Sequence, residues 1–222
     1  MAVALLVAAG TGERLGYGRP KALVPLAGRP MLEWSLDALR EVPEVAEIVV
    51  ALPAEALDSA PAGVVAVTGG AVRSASVRAA LNAAAGHDPV IVHDAARPLV
   101  EASIFRRVLA ELAESDADAV IAAVRVADTI KEVEAGGREV VHTPARERLW
   151  AVQTPQAFRR AALDAALTAA SDALLARATD DAWLIEQAGG RVRVVEGSHQ
   201  NLKVTTPLDL RVAELLLQER RR

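Results

Sequence analysis

Residues 3–21 read VALLVAAGTGERLGYGRPK, an apolar run and then a loop with glycines at 10, 12, 16 and 18. The run VALLVA is short, continuous and free of charge, the pattern of a strand buried on both faces of a sheet. A helical pattern opens after the loop at Pro30, a residue suited to a helix's first turn. The same alternation recurs outward from this unit. Strand patterns read at 45–52 (VAEIVVAL), 63–67 (GVVAV), 89–94 (PVIVHD) and 118–124 (DAVIAAV), with helical patterns at 73–85 and 101–115. Strands alternating with helices predict an α/β fold: a Rossmann-like, mostly parallel sheet with helices on both faces, joined by right-handed crossovers.

The alternation breaks at 125–148, RVADTIKEVEAGGREVVHTPARER. Two polar-alternating segments flank Gly136-Gly137, which reads as a β-hairpin with a tight turn. A lone hairpin is marginal in water and leaves open edges. The arm, about 126–149, is therefore expected to pair with the same arm of a second subunit and make a homodimer; a mobile surface hairpin is the alternative. LWAVQTPQAF then returns to the sheet. Helices fit 158–170 and 179–188, a strand fits 191–195, and an amphipathic helix runs from Pro207. Without repeats or a low-complexity linker, residues 1–222 read as one domain carrying the arm as an insertion.

Composition narrows the function classes. A net charge of −4 gives no overall positive field for nucleic acid or anionic lipid. No cysteine is present, so disulfide and thiolate chemistry are excluded and a metal must rest on oxygen or imidazole. The N-terminal apolar stretch is too short to span a bilayer and no basic segment precedes it. A cytoplasmic protein with no membrane or nucleic-acid partner is expected. Lys21, Lys131 and Lys203 are its only lysines, which either marks sites that need a compact ammonium or reflects compositional bias.

The loop after the first strand lies where open α/β sheets bind ligands, and its glycines allow close backbone approach to anionic oxygens. Gly10, Gly12 and Gly16 are spaced GxGxxxG, and Lys21 lies between Pro20 and Ala22, so neither the dinucleotide nor the P-loop fingerprint is met. The loop places Arg14, Arg19 and Lys21 in one segment. Nucleotidyl transfer needs such cations, because attack at an α-phosphorus builds charge on its oxygens and on departing pyrophosphate. A solvated basic loop is the alternative. In HDAARP, residues 93–98, Asp94 ends a strand and is suited to Mg²⁺, while Arg97 is suited to a phosphate. A buried Asp–Arg pair reads equally well. The turn GGAVRSASV, 69–77, offers Arg73 and Ser76 to a base or simply starts a helix. Lys203 sits between Leu202 and Val204 on a short strand, an unusual place for lysine unless it faces an anion or solvent, and Thr206 with Pro207 reads as the start of the last helix.

In order, AAGTGERLG…RPK, GGAVRSASV, HDAARP, DTIK, TPQAF, TDDAWLIE and EGSHQNLKVTTPLDL resemble the 2-C-methyl-D-erythritol 4-phosphate cytidylyltransferase family of the nucleotidyltransferase superfamily. The resemblance spans essentially the whole chain. It implies transfer of CMP from CTP to methylerythritol phosphate, an isoprenoid precursor step outside the mevalonate route, with Mg²⁺ as cofactor. By matching motif it implies that Arg14, Lys21 and Lys203 stabilise the transition state. Ala8, Ala9, Gly10, Gly12, Gly70 and Ser76 would bind the nucleotide, and Asp94 the metal or substrate. Thr129 and Arg146 would reach from the arm to the neighbouring subunit's acceptor phosphate, with Arg97 and Thr154 as supports. The chain departs from the family pattern at Asp181, where glutamate is usual, and at Ala71 and Gln200, where acidic residues are common. A ribitol 5-phosphate cytidylyltransferase and a non-catalytic nucleotide-binding module are the rival readings.

Overall fold

The computed structural model describes residues 1–220, without the side chain of Arg14. Its strands are β1 (Ala2–Val7), β2 (Pro25–Leu26), β3 (Arg29–Pro30), β4 (Val45–Leu52), β5 (Val65–Thr68), β6 (Val90–Asp94), β7 (Ala119–Arg125), β8 (Glu132–Val133), β9 (Val140–His142), β10 (Trp150–Phe158) and β11 (Val192–Glu196). The α-helices are α1 (Met31–Arg40), α2 (Arg73–Ala83), α3 (Ala102–Glu114), α4 (Arg160–Ala169), α5 (Asp172–Arg177), α6 (Asp181–Gln187) and α7 (Pro207–Arg220). Seven strands form one sheet in the order β11-β7-β10-β6-β1-β4-β5.

The α/β reading holds, with one strand reversed. β1 is parallel to β4 and β6, β4 to β5, and β7 to β11, whereas β10 runs antiparallel between β6 and β7. Connectivity explains the reversal. No helix carries the chain from the end of β7 back across the sheet before β10, only the arm, and a return without a crossover gives an antiparallel neighbour. The β10–β7 register is interrupted between Val152 and Gln156, at a proline that has no N–H to give the ladder.

Alternate residues of the central strands feed opposite cores, as strand geometry requires. Ala4 and Leu6 of β1, with Ile48 and Val50 of β4, pack under α1 and α3 against Leu32, Leu36, Phe105 and Val108. Val3 and Leu5, with Val49 and Ala51, pack on the other face against Val77 and Leu81 of α2, Leu163 of α4 and Leu184 of α6. A third cluster seats Leu210, Ala213 and Leu217 of α7 on Leu15, Val24, Leu26 and Val204.

Several boundaries differ from the sequence expectation. Pro30 caps α1 from outside, because it pairs with Pro25 in the small β2–β3 ladder, and the helix begins at Met31. Helix α5 falls between the two helices expected around it. Lys203 is not on a strand; it follows β11 in an irregular stretch pinned where Val204 N–H donates to Ala96 O at 2.8 Å. Besides its buried stripe, α7 presents Leu208, Val212 and Leu215 to solvent, so it is apolar on two faces.

The arm is a short ladder. Glu132 pairs with His142 and Val133 with Val140. Gly136 takes a φ of +73° in the turn, the region glycine adopts without cost. Lys131 Nζ donates to Thr143 Oγ1 at 2.8 Å, and Arg146 Nη1 donates to Ala127 O at 2.8 Å, closing the base.

The start of α7 carries a reciprocal cap. Thr206 Oγ1 accepts from Asp209 N–H at 3.2 Å, and Asp209 Oδ2 accepts from the backbone of Thr205 and Thr206. Partial burial would raise the Asp209 carboxyl, but the Thr205 hydroxyl, donating to Oδ2 at 2.7 Å, together with these backbone donors outweighs it and holds the pKa near 2. Because the folded value is the depressed one, the cap is intact at neutral pH and weakens only as pH falls from about 4 through 2. Thr206→Ala is expected to lower stability at pH 7 by about 1 kcal/mol in urea denaturation.

Candidate active site

The sheet changes winding direction at β1 and β6. The chain leaves β1 toward β4 on one side and leaves β6 toward β7 on the other, which opens a crevice at their carboxyl ends. A cavity of about 590 Å³ occupies it. Four segments bound this cavity: the loop after β1, the turn 69–72 after β5, the end of β6, and the stretch around Lys203.

Local hydrogen bonds fix each wall. Ala8 N–H donates to Ala51 O at 2.9 Å and Ala95 N–H to Val7 O at 3.0 Å, extending the sheet to the rim. Lys21 N–H donates to Gly10 O at 3.0 Å, which folds the glycine loop back so that Lys21 lines the cavity beside Gly10 and Gly12. Gly12 has a φ of +78°, and a Cβ there would sit 3.0 Å from Lys21 Cα. Glycine is thus required twice over, by conformation and by space.

The turn 69–72 is tied to the first loop just as closely. Gly69 N–H donates to Leu52 O at 2.8 Å, and Gly70 N–H donates to Ser76 Oγ at 3.0 Å. Ser76 lines the cavity, and its hydroxyl is engaged in shaping the turn. A Cβ on Gly69 would lie 2.3 Å from Ala9 Cβ. Gly69→Ala is expected to force the two walls apart and cost about 1–3 kcal/mol, read by chemical denaturation; unchanged stability would contradict the close approach.

At the floor lies an ionic cluster. Asp94 is 6% exposed. Its Oδ1 accepts from Arg73 Nε at 2.9 Å, and its Oδ2 faces Lys203 Nζ at 2.7 Å. Burial alone would raise the Asp94 carboxyl, but the charges of Arg73 and Lys203 overcome it and hold the group ionised, well below the usual carboxylate range. Arg73 also donates through Nη1 to the fully buried Asp181 Oδ2. Burial works against its charge, and the Asp181 and Asp94 carboxylates more than compensate, raising its pKa. The Asp181 carboxyl is raised by burial, with Arg73 opposing.

Beneath Asp94 lies a second, buried layer. Thr154 Oγ1 accepts from Asp94 N–H at 3.0 Å and lies 3.0 Å from His93 Nδ1. His93 is fully buried with its ring edge-on to Phe105, and burial lowers its pKa to about 3. It is uncharged at neutral pH and does not reach the cavity lining. Arg97 is likewise turned inward, donating to Asn201 O at 2.8 Å, and Asn201 Nδ2 donates to Thr154 O at 2.8 Å. These contacts brace the stretch that carries Lys203.

Of the residues singled out in the sequence, the crevice gathers Ala8, Ala9, Gly10, Gly12 and Lys21 on one side. Gly70, Ser76, Asp94 and Lys203 line the other. Arg97 and Thr154 stand behind the wall, and Thr129 and Arg146 are exposed on the arm. Arg19 is exposed. The side chain of Arg14 lies outside the described residues. Sequence reading left the link from Arg73 to Asp181 unassigned, although a signal was present. A cation in a helix's first turn opposes the helix dipole, so Arg73 at the start of α2 implies carboxylates nearby. The cap of α6 is Asp180, whose Oδ1 accepts from Trp183 N–H at 2.8 Å, and the neighbouring Asp181, where the chain departs from the family pattern, faces Arg73.

No group of three or more His, Cys, Asp or Glu side chains suited to a metal occurs among the described residues. Asp94 offers oxygens that each meet one cation and retain lone pairs. That donor set fits a Mg²⁺ held chiefly by phosphate oxygens and water, with one protein carboxylate. No helix among the described residues is long and apolar enough to cross a membrane.

Comparison with known proteins agrees with this geometry. The family model for IspD, 2-C-methyl-D-erythritol 4-phosphate cytidylyltransferase, matches residues 2–219. The curated enzyme of that name from Rhodococcus opacus is 46% identical over 221 residues, covering 98% of this chain and 95% of its own. The crystal structure of the Thermus thermophilus enzyme of the same name matches with a TM-score of 0.81 and 39% identity, covering 98% of this chain and 100% of that one. The 4-diphosphocytidyl-2C-methyl-D-erythritol synthase of Anaerococcus prevotii matches with a TM-score of 0.84 and 30% identity, covering 98% and 96%. Matched over nearly its whole length in sequence and in fold, this chain belongs to the 2-C-methyl-D-erythritol 4-phosphate cytidylyltransferase family.

Proposed function

We infer that the chain transfers CMP from CTP to 2-C-methyl-D-erythritol 4-phosphate, releasing pyrophosphate and forming 4-diphosphocytidyl-2-C-methyl-D-erythritol. The observation that carries this reading is Lys21 and Lys203 on one crevice that the glycine loop also lines. An oxygen of the acceptor phosphate bonds to the α-phosphorus, and the bond from that phosphorus to the bridging oxygen of pyrophosphate breaks. A phosphate monoester is already an anionic nucleophile at neutral pH, so no general base is needed, consistent with a buried neutral His93. Catalysis is positioning and charge stabilisation.

In this reading, Ala8, Ala9, Gly70 and Ser76 hold cytosine, largely through backbone groups. The amides of Gly10 and Gly12 face the triphosphate, and Arg14, Lys21 and Lys203 stabilise the pentacoordinate transition state. Asp94 would hold Mg²⁺, which supplies neutralisation of triphosphate charge when bound. Thr129 and Arg146 reach from the partner's arm to the acceptor phosphate, and Arg97 and Thr154 brace that subsite. Residues 1–222 act as one cytoplasmic domain with the arm of 126–149 inserted, working as a homodimer without membrane or nucleic-acid partners.

The test is pyrophosphate release from CTP and Mg²⁺ with methylerythritol 4-phosphate or ribitol 5-phosphate. Release with methylerythritol phosphate alone is expected. Release with ribitol phosphate alone would move the substrate, and binding of CTP without release from either would favour a non-catalytic module.

A further inference from the structure

Asp94 is the junction of two cations that behave differently. Arg73 is tied at both ends, to Asp94 and to the buried Asp181, while the Lys203 side chain is 42% exposed and has the cavity before it. Arginine's planar fork is preorganised, whereas lysine carries a point charge on a flexible stem. To meet a phosphate, the Lys203 ammonium must give up some of its hold on Asp94. A buried carboxylate left without a counter-ion is costly, so a cation that stays on Asp94 makes release of the lysine cheaper.

We propose that Arg73 is a positioning residue for the transfer: it keeps Asp94 neutralised and in place, so that Lys203 is free to swing to the reacting phosphate. This rests on the cytidylyl-transfer reading above and adds to it a residue that, although it lines the cavity, acts through Asp94 and Lys203. Arg73 opens α2 immediately after the turn 69–72, so the arrangement also ties the base-side wall to the lysine. Asp181 has its place here as well. From the first turn of α6 it holds the far end of the guanidinium, leaving Nε for Asp94.

A mutant cycle tests the idea, using single-turnover rates with enzyme in excess so that weak variants still register. Arg73→Gln is expected to lower the transfer rate about tenfold or more while CTP affinity by calorimetry stays within about threefold. In an Asp94→Asn background there is no carboxylate to restrain Lys203, and the same substitution should then cost less than about threefold. Arg73→Lys, which keeps one charge on Asp94, should recover part of the loss and stands in for the glutamine if that variant does not fold. Equal penalties in both backgrounds would overturn the proposal and leave Arg73 a structural tie to Asp181. Wild-type protein that releases no pyrophosphate would instead overturn the function on which the proposal rests.

Discussion

Lys203→Ala is expected to reduce the turnover of CTP by about 10²–10³-fold while leaving CTP affinity within a few fold. The size of the effect follows from where charge changes. Ground-state CTP already carries its phosphate charge and, in the proposed reading, is held along the glycine loop, with Lys21 on the same wall of the cavity. New charge appears on the equatorial oxygens and the leaving pyrophosphate only as the α-phosphorus is attacked. An ammonium that swings to that point acts mainly on the transition state. The substitution should be tolerated by the fold, because Arg73 remains on Asp94 and the stretch around position 203 is held by Val204, Asn201 and Arg97. Pyrophosphate release and calorimetric CTP titration measure the two quantities separately. A large loss of affinity with unchanged turnover would assign Lys203 to ground-state binding and remove it from the catalytic set.

The contrast between what the sequence shows and hides runs along the division between backbone and side-chain information. VALLVA and the VIV that opens β6 are continuous apolar runs because β1 and β6 are buried on both faces, and that pattern places both at the centre of a parallel sheet. The glycines are legible for a related reason, since backbone that must turn or lie close to another segment leaves a residue type behind. Gly12 and Gly69 each have one loop pressed against the missing Cβ. The reversed strand β10 was partly legible: an arm in place of a crossover helix leaves antiparallel return as the simple route. The ionic cluster was much less so. Asp94, Arg73, Asp181 and Lys203 come from four separate segments, and no local period joins them. Motif resemblance supplied Asp94 and Lys203, while the partners that set their charge emerge only when the chain is folded. Arg97 shows the same limit in reverse. Beside Asp94 in sequence it looks like a phosphate ligand, yet its guanidinium turns inward to Asn201 O.

Deleting residues 131–143 is expected to convert a dimer to a monomer and to raise the KM for the acceptor phosphate by about 10²-fold or more, with far less change for CTP. The arm's own surface argues for a partner. Ile130, Val133, Val140 and Val141 are 40%, 45%, 52% and 62% exposed on a ladder with only two paired registers. So short a ribbon has little to hold it alone. Apolar side chains spread from its base along its ladder would be covered by the same residues of a second copy, an isologous contact that closes on itself. The deletion leaves Thr129 and Arg146 in the chain but removes what, in the proposed dimer, would carry them across to the neighbouring site. Losing a charged hydrogen bond of about 1.5–3 kcal/mol accounts for one to two decades of affinity, and a second lost contact for the rest. The nucleotide, which the proposed reading assigns to the first loop and the turn 69–72 of its own subunit, should bind nearly as before. Sedimentation velocity and KM for each substrate read the two effects independently. A monomer with unchanged acceptor KM would place the acceptor phosphate wholly within one chain. A dimer that survives the deletion would place the interface elsewhere, with the exposed stripe Leu208, Val212 and Leu215 of α7 the next surface to test.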